Sequence, residues 1–238
     1  MSEADSKSLR PQSSRREIDA FLNKLASAPA VKPAGQRGRL IFAMDATASR
    51  EPTWRQACEI QGRMFEETVG LGGLEVQICY FRGHDECRAS RWLTASEDLL
   101  RCMRKVDCQT GYTQIEKVLR HAREETRRKK VNAMVFVGDC VEEDLDQLSG
   151  LAGELGMLNV PVFLFQEGFD PVAERAFREI ARLTQGAYCR FDAHSPQQLR
   201  DLLSAVAVYA AGGRRALEDY SARQGGVTLQ LTRQIGRE

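Results

Sequence analysis

From residue 39 onward, short apolar runs alternate with stretches in which apolar side chains recur every three or four positions. Residues 40–44, 74–81, 133–137, 160–165 and 187–191 have strand length, and 133–137 is unbroken in the manner of a strand buried on both faces of a parallel sheet. Residues 53–69, 96–106, 113–129, 142–155, 171–183 and 196–211 carry helical spacing, as with Ile115, Val118 and Leu119 on one face. Residues 87–93 alternate instead. The intervening Gly83-His84-Asp85 predicts a hairpin whose second strand runs antiparallel at an edge. The order β-α-β-β-α-α-β-α-β-α-β-α predicts an α/β fold: a doubly wound, mostly parallel six-stranded sheet with one antiparallel edge strand and helices on both faces. Such sheets bind ligands outside the carboxyl ends of their strands.

The flanks read differently. Residues 1–38 form a polar tail in which Ser14-Arg15-Arg16-Glu17 resembles a capping box, with Ile18, Phe21, Leu22 and Leu25 following at helical spacing. Pro29, Pro33, Gly35 and Gly38 mark the linker that follows. Residues 39–211 make the main domain and 212–238 a C-terminal extension with a possible strand at 227–231.

Composition narrows the class of function. With 42% hydrophobic and 28% charged residues, the chain has the material for a substantial core. Its formal charge of +1 gives no global field toward nucleic acid or anionic membrane. No window approaches a spanning helix, and the N-terminus lacks the apolar core of a signal peptide, so a soluble cytoplasmic protein is expected. Seven cysteines without a Cys-x-x-Cys pair argue against a zinc site or disulfide framework and agree with a reducing compartment. His84, His121 and His194 are scattered, and no phosphate-cradling glycine motif is present.

Chemistry concentrates where the first apolar run stops. Asp45-Ala46-Thr47-Ala48-Ser49 places a carboxylate and two hydroxyls at alternate positions, which in extended backbone project to one side. Hard oxygens with little net charge suit Mg²⁺ or Mn²⁺. The predicted topology brings two further segments to the same end: Thr113 in Gly111-Tyr112-Thr113, and Asp139 after 133–137.

These residues carry a resemblance. The sequence resembles a von Willebrand factor type A domain, of an intracellular bacterial type, with a metal-ion-dependent adhesion site: D-x-[ST]-x-S, a Thr in a Gly-rich loop, and an Asp after a later apolar strand. The similarity spans about residues 39–210. It implies that Thr47, Ser49 and Thr113 ligate the metal through hydroxyls, and that Asp45 and Asp139 act directly or through water. It also implies an open coordination position for an Asp or Glu of a partner protein, in some members within an ATPase or chaperone assembly. Two departures stand out: Thr47 where Ser is commoner, and Gly138-Asp139-Cys140 where many members have Thr-Asp-Gly.

Other readings remain open on the sequence. A phosphohydrolase with Asp45 as nucleophile fits an Asp after the first strand, though position 47 is not the second acid such chemistry favours. A metal-free scaffold with a vestigial site is the third possibility. Glu142, Glu143 and Asp144 either compete for the ion or serve as first-turn acids of a helix. Arg50, Glu51 and Trp54 line the rim of the site or pack a helix start, and Arg127-Arg128-Lys129-Lys130 is a phosphate-attracting patch or a solvated helix end.

Overall fold

The computed structural model describes residues 37–191 and 196–224, together with Ala20 and Lys24. The expected helix near residues 14–25, most of the linker and the possible strand at 227–231 lie outside the described residues. Six strands form one sheet: β1 (Gly38–Asp45), β2 (Leu74–Arg82), β3 (Glu86–Ala89), β4 (Ala133–Gly138), β5 (Val162–Glu167) and β6 (Ala187–Phe191). Their order is β3-β2-β1-β4-β5-β6, parallel throughout except for the antiparallel edge strand β3. This is the doubly wound α/β architecture that the pattern predicts.

Alternation explains the layers. In β1, Leu40, Phe42 and Met44 enter one core while Ile41 and Ala43 enter the other; in β4, Ala133, Val135 and Val137 divide likewise from Met134 and Phe136. A strand apolar at every position is therefore what burial on both faces requires. Helices α1 (Glu51–Ile60), α2 (Gly62–Glu66), α3 (Ser96–Met103) and α7 (Pro196–Gln224) cover the first core. The second lies under α4 (Ile115–Arg128), α5 (Leu145–Met157) and α6 (Pro171–Leu183).

Several boundaries move. The helix expected at 53–69 starts at Glu51, is interrupted at Gln61 and ends in a 3₁₀ turn at Val69–Leu71, so it is two helices rather than one. Regular β3 pairing ends at Ala89, and the remainder of 87–93 contacts β2 through an isolated bridge between Val76 and Leu93. The helix expected at 196–211 breaks at Gly213, and a second helical stretch follows it. Gly213, at φ 72°, turns the chain inside α7 in a conformation open to glycine, and the second stretch runs to Gln224 with Ala216 and Leu217 buried. Leu217 is 1% exposed within the first core. Leu217→Ala is expected to lower the folding free energy by about 3 kcal/mol, read as a lower denaturant midpoint at unchanged m-value.

Candidate functional site

The site sits where the sheet changes direction. From β1 the chain turns to the helices on one face, and from β4 it turns to those on the other. The carboxyl ends of these adjacent strands thus face a crevice that no crossover fills. Asp45 is the last residue of β1 and Asp139 follows β4 directly.

The first segment folds in two ways. Thr47 is extended (φ −71°, ψ 162°), and its amide donates to Asp45 Oδ1 at 2.7 Å. Ser49 instead lies in a 3₁₀ turn at Ala48–Arg50, so alternation along a strand does not place it. The turn nevertheless brings Ser49 Oγ to 3.3 Å from Thr47 Oγ1, and Ser49 donates to Asp139 Oδ2 at 3.1 Å. Asp45, Thr47, Ser49 and Asp139 are thus gathered in one hydrogen-bonded group.

Thr113 reaches this corner by a different route. The backbone at Gly83 approaches Gly111 so closely that a Cβ on residue 111 would fall 1.9 Å from the Gly83 carbonyl oxygen. Tyr112 donates its amide to that same oxygen at 3.1 Å. On the other side, Thr113 N donates to Glu142 Oε2 at 2.9 Å, and Glu142 N donates to Thr113 Oγ1 at 3.0 Å. Thr113 is thereby fixed to the loop that leaves Asp139.

Glu142 and Glu143 have a role that neither sequence reading anticipated. Helix α5 begins only at Leu145, capped by Asp144 Oδ1 accepting from Gln147 N at 3.0 Å. Glu143 lies before it and accepts from Ile115 N and Glu116 N at 2.9 and 2.7 Å. It therefore caps α4, satisfying amides that a helix leaves unpaired. These two carboxylates are occupied by backbone donors, and only Asp144 serves the helix that follows.

Arg50 is also not on a rim. It is 2% exposed, ion-paired to Glu167 and 3.8 Å from Asp139 Oδ2, while Thr53 Oγ1 donates to Glu167 as well. Trp54 packs instead of projecting: it is 4% exposed, donates Nε1 to Met103 O at 3.0 Å and meets Tyr80 edge-on. Glu51 is exposed and pairs with Arg55. The aromatic that does stand exposed beside the site is Tyr112, in a loop whose Gly-Tyr-Thr sequence gave no sign of which way the ring would face. The basic run at 127–130 is engaged: Arg127 with Glu154, Arg128 with Glu125, Lys129 with Glu75, and Lys130 with the carbonyls of Leu158 and Asn159.

The electrostatics suit a bound cation. Asp45 Oδ2 and Asp139 Oδ1 are buried without a hydrogen-bond partner. Burial, with the Asp139 charge added, pushes the Asp45 carboxyl up from 3.8 to about 6 despite the Thr47 amide and Arg50. Burial, with the charges of Asp139 and Asp45 added, pushes the half-buried Cys140 thiol up to about 12. Among the described residues no cluster of three His, Cys, Asp or Glu side chains is gathered as a metal site. The gathered donors are two carboxylates and two hydroxyls, a hard-oxygen set that fits a divalent ion such as Mg²⁺, while the Thr113 hydroxyl is tied to Glu142 N on the loop after Asp139.

Comparison with known proteins finds no matching family model and no matching curated protein. Solved structures do match. A von Willebrand factor type A protein from Catenulispora acidiphila is similar over 72% of this chain and 43% of its own, at 14% identity and TM-score 0.59. The SpRpn10 VWA domain is similar over 71% of this chain and 94% of its own, at 13% identity and TM-score 0.55. Proximal thread matrix protein 1 from the mussel byssus, a structure with a zinc-occupied MIDAS motif, is similar over 74% of this chain and 47% of its own, at 14% identity and TM-score 0.59. The chain spans less than half the length of the first and third of these. It has the von Willebrand factor type A fold.

Two measurements follow from this electrostatic arrangement. Arg50→Met leaves Glu167 and Asp139 without their buried cation and is expected to cost about 3 kcal/mol, seen as a lowered denaturant midpoint. The folded chain holds the Asp45 proton more tightly than the unfolded chain does. The metal-free protein therefore has this contribution in full below the unfolded value of 3.8 and loses it as pH rises through about 6. Asp45→Asn removes that loss, so in chelator the variant is more stable than wild type at neutral pH and the difference vanishes in acid.

Proposed function

We propose that this chain is a non-enzymatic, divalent-metal-dependent protein-binding module that captures an Asp or Glu of a partner protein. Asp45, Thr47, Ser49, Thr113 and Asp139 would hold Mg²⁺ or Mn²⁺, and the bound ion would supply a Lewis-acid position for the incoming carboxylate. The observation that carries this reading is the pair of buried carboxylate oxygens, Asp45 Oδ2 and Asp139 Oδ1, that the protein itself leaves without a donor. Such groups cost free energy unless something completes them.

This chain's own residues set the selectivity. Ser49 orients Asp139, and the Thr47 amide orients Asp45, so both carboxylates are fixed before anything binds. Arg50 offsets part of the negative charge, leaving a site in which a divalent ion carries excess positive charge toward an acidic ligand. The exposed ring of Tyr112 supplies apolar contact beside it, as interface aromatics do. Protein binding also fits the fold, which the SpRpn10 VWA domain shares. A partner within a larger cytoplasmic assembly, of the ATPase or chaperone kind, is the setting that the family resemblance suggests.

Calorimetric titration with Mg²⁺ and Mn²⁺ tests the site. Binding is expected for wild type and not for Asp45→Ala or Asp139→Ala. At roughly a hundred times its dissociation constant the ion adds about 2.7 kcal/mol to wild-type stability alone. An acidic peptide should then bind in Mg²⁺ and dissociate in chelator. Equal heats for wild type and both variants would overturn the proposal.

A further inference from the structure

A second chemically distinct cluster lies on the far side of the β2–β3 hairpin. The register sets Cys79 of β2 opposite Ala89 and Cys87 of β3 opposite Phe81. Cys79 and Cys87 are therefore diagonal neighbours projecting from one face of the sheet. Their thiols are near enough to perturb each other's titration. Cys79 is 1% exposed, whereas Cys87 is half-buried and opens into a cleft of about 260 Å³ lined also by Arg88, Lys117, Arg120 and His121. We propose that Cys87 is a hydroperoxide-reactive thiol that closes a reversible disulfide with Cys79.

Three features converge on this pair. The cleft opens the half-buried sulfur to small molecules and brings Lys117 near it; Glu124 also lines it, and Arg88, Lys117 and Arg120 are each paired with a carboxylate, so Lys117 is the one cation that acts on the Cys87 thiol. The Cys79 thiol and the Lys117 charge lower the Cys87 pKa against the effect of burial. Burial pushes the Cys58 thiol up, and those of Cys108 and Cys140 rise to about 11 and about 12.

The chemistry balances with the hydroperoxide as oxidant. The Cys87 thiolate attacks the terminal peroxide oxygen, an S–O bond forms, the O–O bond breaks, and the departing alkoxide or hydroxide takes up a proton. Cys87 is then a sulfenic acid. Cys79 sulfur displaces its hydroxyl, the S–S bond forms, and the thiol proton leaves with that hydroxyl as water. Two thiols have lost two electrons and the peroxide has gained them. A diagonal cross-strand pair is wider than a relaxed disulfide, so the short edge strand must be drawn in. A bond made under such strain is readily reduced.

Mass spectrometry of the full chain, treated with hydrogen peroxide and then alkylated, tests the assignment. The expected result is loss of two alkylatable thiols and a cross-linked peptide joining Cys79 to Cys87, both reversed by dithiothreitol. In Cys79→Ala the second step has no partner, and dimedone should label Cys87. In Cys87→Ser neither product should form. The proposal is overturned if treated wild type keeps both thiols alkylatable while other cysteines oxidise. It fails equally if Cys79 oxidises as fast in Cys87→Ser as in wild type.

Discussion

Everything at this site depends on β1 and β4 being adjacent, parallel and buried on both faces. A strand in that position contributes no solvent-facing side chain along its length: Arg39 near the start of β1 is buried in ion pairs, and beyond it polar residues appear only at the carboxyl ends. Asp45 and Asp139 are those residues, and neighbouring register puts them side by side. The helices that follow depart to opposite faces. The crevice between them is thus a product of topology, and the polar groups inside it are what two apolar strands yield at their common end.

The carboxylates are then held by neighbours that restrict them without neutralising them. Backbone amides and hydroxyls occupy one oxygen of each acid, while the other remains buried and open. Arg50 lowers the charge cost of that arrangement and is itself anchored by Glu167 from β5. A preorganised site of this kind is expensive in the free chain and correspondingly receptive, the exchange of stability for function that buried unsatisfied groups express.

Much of this was legible in the sequence because it is local or periodic. The strand runs and the antiparallel edge follow from patterning, and Asp45 and Asp139 stand where apolar runs end, whereas Ser49 reaches Asp139 by a 3₁₀ turn and not by the alternation that singled it out. What escaped was set by partners distant in sequence. Glu142 and Glu143 looked like acids of their own helix, yet they serve Thr113 and the start of α4, which lie almost thirty positions earlier. Arg50 beside a polar motif reads as a surface residue, and only Glu167, at the end of β5, makes it a core one. Trp54 likewise depended on finding Met103 O. The end of the helix expected at 196–211 was legible, because Gly212-Gly213 is a stop signal and Gly213 does break the helix; the helical stretch after it, anchored by buried Leu217, was not.

The bond from Ser49 to Asp139 spans ninety positions of chain, with a parallel sheet to be assembled in between. Contacts of that sequence separation form late, because the closure of so long a loop is repaid only when the strands between are in register. A chain in which β1 and β4 have not met holds these oxygens apart. The corner therefore exists as a structure only once β1 and β4 are paired, however early the segments that carry its oxygens are made.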